Sequence, residues 1–384
     1  MKRNRLIHLE YARGVASILV IFHHFSLAFY PELRLPVWEG GIGYTPLFAL
    51  VNGDGAIAFF FTLSGFVLTV RFYERFSPAA FAKAFWAAVA KRLPRLMIPA
   101  AASILLGLLL LEFAGDPYRA AAEFSASQWL RDFGNAGMPA GLEPSVLDAL
   151  RQAVSVFLLP GDYYYNSNLW TMSGEFYGSL LVFGVAFWLG AGRPRKLAHA
   201  AAVHVGLAAI LWPVHPLLAQ FLVGSFLAFL WATRGREIRI GAVPAGALVL
   251  GAALCLSSGH GAATTVASLL LMVALLGNRS LATRLSGRVG SVLGAVSFPL
   301  YLVHTLVILS ASSLVYAQLS AAAVPGVTVA LATLLTTLAV SAVACVPFAI
   351  LDARWTAWLN AAVSALADRV LAVRQDRAGA PPAA

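Results

Sequence analysis

The chain has 384 residues, of which 60% are hydrophobic and 11% charged, with a mean hydropathy of +0.78. So little charge over that length excludes an ordinary soluble domain, and apolar runs of helical length without short alternating strands exclude a membrane β-barrel. The net charge of +10 is what basic loops on one membrane face produce, so it implies no nucleic-acid partner.

These properties predict an all-α integral membrane protein of the cell (inner or plasma) membrane, with about ten transmembrane helices. The spans fall near residues 14–30, 55–70, 96–113, 168–190, 197–212, 216–233, 241–257, 262–278, 291–316 and 326–350. With N-terminus and C-terminus cytoplasmic, every one of the 27 Lys and Arg residues except Arg34, Arg119, Arg131 and Arg151 lies on the inner side. The first run is long, carries Arg13 and His24 and lacks a small-residue cleavage pattern. It is therefore read as a retained span, not a signal peptide. Residues 1–354 are expected to form one multi-span membrane domain. The segment 355–384 is expected to be an amphipathic surface helix, with Trp355 and Trp358 among charges and a disordered Ala/Pro tail.

In the first span, eleven positions separate Arg13 from His24, three turns plus roughly 20°, so the two share a helix face about 16 Å apart. Ionisable residues inside a membrane helix are costly and mark candidate functional sites. His23 lies roughly 80° off that face and reads as a helix-contact residue. The second span contains Leu63-Ser64-Gly65-Phe66, where Ser64-Gly65 also suits a close helix contact. Residues 77–95 read as a helix on the inner surface, capped by Ser77-Pro78. Around them Arg71, Arg92 and Arg95 suit a phosphate clamp, although lipid headgroups and topology account for such arginines equally well.

The long segment at about 114–167 is expected outside the membrane, as part of an acceptor site or as a solvated cap with an aromatic belt at Tyr163-Tyr164-Tyr165. The fourth span opens Trp170-Thr171-Met172-Ser173-Gly174-Glu175, and Glu175 inside an apolar run requires a proton, a basic partner or water. The ninth contains Ser297-Phe298-Pro299-Leu300-Tyr301-Leu302-Val303-His304. Ser297, Tyr301 and His304 fall within about 40° of one face, or Ser297 caps a helix that starts at Pro299. Cys255 and Cys345 lie in different spans and imply no disulfide. No metal signature and no phosphate-binding glycine loop stands out, which disfavours a metal site and an ATP-driven pump.

In combination these motifs resemble the type-3 membrane acyltransferases. The resemblance is carried by Arg13-x10-His24, Leu63-Ser64-Gly65-Phe66, Arg92 and Arg95 with Pro99, the Trp170–Glu175 run and the Ser297–His304 run, from residue 9 to about 354. Thr171 and Met172 replace a usual Ser-Leu, and Phe298 replaces a Tyr. Many bacterial members carry a further esterase-like domain that these residues lack, so a two-step relay within one polypeptide is not expected. The resemblance implies transfer of an acyl group, acetyl above all, from cytoplasmic acyl-CoA to a hydroxyl of a glycan, lipid-linked sugar or other acceptor. Acyl-CoA is then a co-substrate, with no bound cofactor.

On that reading the catalytic candidates are His24, Glu175, Tyr301 and His304, with His24 or His304 as base. Arg13, Arg71, Arg92 and Arg95 are candidates for the donor phosphates, and Ser64, Trp170 and Ser297 for the substrate or an oxyanion. The rival reading is a proton-coupled transporter or flippase of a saccharide or lipid, in which the same groups line a proton path. Against it, no pair of broken helices repeats in matching halves.

Overall fold

Inside a bilayer every backbone N–H and C=O needs an internal partner, and this chain meets that demand with helices. The computed structural model describes residues 6–73, 78–134, 143–190, 196–234, 239–258 and 261–379, the side chains of 78–80 and 367–379 excepted. Among them are α1 (Ile7–Phe29), α2 (Gly53–Thr69), α3 (Pro78–Phe113), α4 (Pro117–Ser125), α5 (Gln128–Arg131), α6 (Val146–Leu158), α7 (Met172–Gly190) and α8 (Leu197–Leu211). There follow α9 (Pro216–Thr233), α10 (Ala242–Leu256), α11 (Gly261–Gly277), α12 (Arg279–Leu285), α13 (Arg288–Val307), α14 (Ser313–Ala321) and α15 (Gly326–Gly379). No strand occurs among the described residues.

All ten predicted spans coincide with helices. Seven of these are long and apolar enough to cross a bilayer, or eight if α11 and α12, bent by 91°, count as one broken span. The other two, α8 and α10, have 15 residues each. The protein is an all-α, multi-pass membrane protein.

Two predicted boundaries disappear. The expected surface helix at 77–95 and the span at 96–113 are one 36-residue helix, α3, with Pro94 and Pro99 inside it; Ser77, the expected cap, lies outside the described residues. Similarly, the last span and the expected surface helix beyond Arg354 are continuous in the 54 residues of α15. A change from apolar to amphipathic composition moves a helix out of lipid without giving it a reason to stop. The expected basic residues Lys2, Arg3, Arg5, Arg75, Arg193, Arg195 and Arg236, the side chains of Arg369, Arg374 and Arg377, and the Ala/Pro tail past 379 lie outside what is described.

The helix ends sort onto two faces. On one, Asn52 Nδ2 donates to the Leu256 carbonyl (2.7 Å) and Ser127 Oγ to the Leu27 carbonyl (2.6 Å), joining 30–52, the end of α10 and the 114–167 segment. On the other, Ile240 N–H donates to the Gly277 carbonyl (2.9 Å) and Asn278 Nδ2 to the Ile240 carbonyl (2.9 Å). These are called below the long-loop face and the N-terminal face.

Lipid gives no hydrophobic force between spans, so small residues that let backbones touch matter more. α2 and α9 meet in this way. A Cβ on Gly65 would sit 2.1 Å from the Phe221 carbonyl oxygen, and one on Gly224 would sit 1.8 Å from that of Thr62. Both obstacles are backbone, so the helices themselves must separate. Gly65→Val is expected to lower stability by about 3 kcal/mol, read as an earlier unfolding midpoint in detergent. An unchanged midpoint would mean that this contact is dispensable.

The described parts of the 114–167 segment, 114–134 and 143–167, form a folded cap. Tyr118, Trp129, Leu130 and Phe133 bury against Phe29, Ile308 and Tyr316. Tyr164 and Tyr165 are buried too, so they form no interfacial belt. The Tyr164 hydroxyl donates to Asp148; burial first, then that carboxylate, pushes its pKa up to about 12. The cap packs over the end of α1, where His24 lies.

Candidate active site

α1 and α13 run side by side and in parallel, and the two ionisable residues of α1 both reach α13. Near the N-terminal face, Arg13 Nε donates to Ser297 Oγ (2.9 Å) and Arg13 Nη2 to the Gly294 carbonyl (2.8 Å), while Glu10 pairs with Arg13 at 2.7 Å. Towards the long-loop face, His24 Nδ1 lies 2.9 Å from His304 Nε2. Close approach of the two helices permits both contacts, since a Cβ on Gly14 would lie 2.4 Å from Leu293 Cβ and one on Gly294 2.5 Å from Glu10 Cβ.

His304 Nδ1 has both an acceptor, the Leu300 carbonyl at 3.0 Å, and a donor, Asn168 Nδ2 at 3.3 Å, as neighbours; the shorter contact favours a proton on Nδ1, with Nε2 as the acceptor. His24 Nδ1–H is then the donor to His304, and His24 Nε2 holds a lone pair. The His24 ring stacks on Trp129, centroids 5.3 Å apart at 28°. His304 is fully buried. Directly after it the helix widens into a π-turn at Ile308–Ser312, a distortion frequent near functional sites.

His23 points elsewhere. Its Nδ1 accepts from the Gly53 N–H (3.1 Å) and from Arg34 Nη1 (2.8 Å), and Arg34 also donates to the Val51 carbonyl (2.6 Å). It ties the first long-loop segment to the start of α2, the contact role expected of it.

A cavity of about 490 Å³ lies among α1, α2, α3, α7, α13 and α15. Arg13, Lys91, Arg92 and Arg95 line it, as do Ser64, Glu175, Ser297 and, at its far limit, Thr171 and Tyr301. Glu175 has the basic partner that its burial demands. Arg92 forms an ion pair with it, Ser64 Oγ donates to its Oε1 (3.0 Å), and Arg92 Nε donates to Ser179 Oγ (2.6 Å). Arg95 makes a two-pronged pair with Asp352 of α15, one bond being Nη2 to Oδ2 at 3.0 Å.

Tyr301 separates the cavity from the dyad. Its hydroxyl donates to the Asn168 carbonyl and lies 2.7 Å from Thr171 Oγ1, and its ring centroid is 6.0 Å from that of His304. Neither His24 nor His304 lines the cavity.

The structure thus joins Arg13 with Ser297, His24 with His304, and Ser64 with Glu175 and Arg92, and it sets Tyr301 between the cavity and the dyad. Pro299 is inside α13, so no helix starts there, and Ser297 binds Arg13 and the preceding turn instead of capping. Arg71 is not in the cavity wall; its guanidinium lies over the Phe72 ring at 5.7 Å. Trp170 is exposed and also outside the wall. Among the described residues, no group of three or more His, Cys, Asp and Glu could hold a metal.

Sequence reasoning missed three contributors. Asn168 donates from Nδ2 to the Tyr301 carbonyl (2.8 Å), and its Oδ1 is buried without a partner beside the dyad. Asp352 and Trp129 are the other two. The Asn166-Ser167-Asn168 run before the apolar segment was the available signal for Asn168. Nothing local marks Trp129 or Asp352, which reach the site only through tertiary packing.

A comparison with protein families gives one match, the Acyl_transf_3 model, described as an acyltransferase domain, over residues 6–346. No curated protein and no solved structure matches the chain. The matched segment takes in α1 through the first part of α15, and with it the dyad, Glu175 and the arginines of the cavity. The chain belongs to the type-3 membrane acyltransferase family.

Proposed function

We propose that the protein transfers an acyl group, acetyl in the simplest case, from acyl-CoA to a hydroxyl of a glycan, lipid-linked sugar or comparable acceptor. The observation that carries this reading is the His24–His304 dyad beyond Tyr301, whose ring bounds a cavity that Lys91, Arg92 and Arg95 also line. The N-terminal face, rich in Lys and Arg, is the cytoplasmic one by the positive-inside rule, so the donor enters there and both termini share that side. The protein then sits in the cell membrane, with the 114–167 cap outside.

A thioester is already activated, so the chemistry needs a base, a positioned hydroxyl and stabilisation of an oxyanion. His24 Nε2 takes the proton of the acceptor hydroxyl as its oxygen attacks the thioester carbonyl. The tetrahedral intermediate collapses, the C–S bond breaks, and the His24 imidazolium returns the proton to the departing thiolate. His304 holds His24 in the required tautomer through Nδ1, the part a carboxylate plays in a Ser-His-Asp triad. The donor arm reaches His24 past the Tyr301 hydroxyl, which is placed to donate to the developing oxyanion once it leaves Asn168. Arg13, Arg92 and Arg95 take the donor's phosphates, to which the guanidinium fork is suited.

Membranes holding the full chain are to be supplied with labelled acetyl-CoA and a cell extract, with and without an ionophore that collapses the proton gradient. Label passing into a hydroxyl-bearing acceptor regardless of the ionophore is the expected result. Solute movement that needs the gradient, with no labelled product, would favour the transporter reading instead.

A further inference from the structure

The family match ends at residue 346, but the cavity wall does not. α15 runs 54 residues, about 80 Å at the usual rise, against a hydrocarbon core of about 30 Å. Asp352, Thr356, Leu359 and Asn360 follow the spacing of one helix face, and all four line the cavity. That face is fastened to α3 at three points. Asp352 pairs with Arg95, Trp355 Nε1 donates to the Pro94 carbonyl (2.7 Å), and Lys91 Nζ donates to Asn360 Oδ1 (2.9 Å). The 352–360 stretch of α15 is thus a strap across the cationic end of the cavity.

The four cations of the cavity differ in how they are held. Arg13 pairs with Glu10 one turn away on its own helix. Arg92 pairs with Glu175 where both side chains are nearly buried, 12% and 16% exposed, and two serines complete their hydrogen bonds. Among the described residues, Lys91 has a neutral amide as its hydrogen-bond partner. Arg95, 31% exposed, is matched in two-pronged fashion by a carboxylate from the strap. A guanidinium fork accepts a carboxylate and a phosphate in the same geometry. Asp352 therefore occupies the place that an anionic group of a ligand would take on Arg95.

We propose that Asp352 is a specificity-determining residue of the donor cavity. In the empty protein it holds Arg95 as an internal substitute for phosphate, and a ligand is admitted only if its own anionic groups displace it. This inference rests on the donor reading above. The tethered carboxylate competes at high local concentration, so a single carboxylate or a neutral thioester does not dislodge it. A ligand with several phosphates, engaging Arg95 together with Lys91 and Arg92, does. The strap thereby rejects acyl thioesters that lack the nucleotide phosphates.

The test is calorimetric binding of CoA to the full chain in lipid nanodiscs. Asp352→Asn leaves Arg95 unoccupied, and removal of a competitor that holds about nine-tenths of it tightens CoA about tenfold. Arg95→Ala weakens binding, and in that background Asp352→Asn has no further effect. Asp352→Glu keeps the charge but spoils the two-pronged fit; it folds even if the Asn variant does not, and is expected to tighten CoA about threefold. Affinity equal to or weaker than wild type in both folded Asp352 variants overturns the assignment while leaving the donor reading intact. Absence of CoA binding in wild type and variants alike overturns the donor reading and takes this inference with it.

Discussion

His24→Ala is expected to lower acyl transfer by about 10³-fold or more while the protein folds and inserts as before, because it removes the group that both takes and returns the proton. His24 is not among the buried hydrophobics of α1, Leu9, Ala16, Val20 and Ile21, that belong to the core. His304→Ala acts through His24. It leaves the base in place but frees its tautomer and ring, so a loss of about 10²-fold is expected. The double variant should lose no more than His24→Ala alone, since the two act as one unit. Initial rates with labelled donor at saturating acceptor check this order. Equal losses in the two single variants would give His304 a direct part in proton transfer, and full activity of His24→Ala would remove it from the mechanism.

The second large effect concerns Glu175. Glu175→Ala strips Arg92 of its carboxylate and leaves a guanidinium with 12% side-chain exposure in a low-dielectric site. Breaking one half of such a pair costs about 3–5 kcal/mol, so the variant is expected to unfold early in detergent or to be degraded in cells. Replacing both partners, as in Arg92→Met with Glu175→Leu, removes the uncompensated charge. The double variant is expected to recover most of the stability and none of the donor affinity. That split separates the structural part of the pair from its role at the cavity. A Glu175→Ala protein as stable as wild type would show that water or another anion satisfies Arg92.

Much of the architecture was legible because lipid enforces it. Runs of apolar residues had to be helices, and all ten became so. What could not be read were joints. Between residues 95 and 96, and again near 354, composition changes while helix propensity does not, and Pro94 and Pro99 were absorbed inside α3. The site was legible wherever one helix carried the information. Arg13 and His24 share a face, and both meet α13, at Ser297 and His304. Glu175 needed a proton, a basic partner or water, and it has Arg92. The rest came from packing between distant segments: Trp129 of the cap against His24, Asn168 against the Tyr301 carbonyl, and Asp352 on Arg95 across 257 positions of sequence. Arg71 illustrates the limit from the other side, because a cluster of arginines in sequence did not become a cluster in space.

On the proposed mechanism the donor enters at the N-terminal face and its acyl group crosses to His24 near the other. Sealed vesicles of known orientation, scored with a protease-sensitive tag at the C-terminus, test it most directly. Labelled acetyl-CoA is added outside only. Labelled acceptor is expected when the C-terminus, and with it the Lys91–Asn360 end of the cavity, faces outward, and none in the opposite orientation until the vesicles are opened. Transfer confined to the opposite orientation would contradict it, as would equal transfer in both while the vesicles remain sealed.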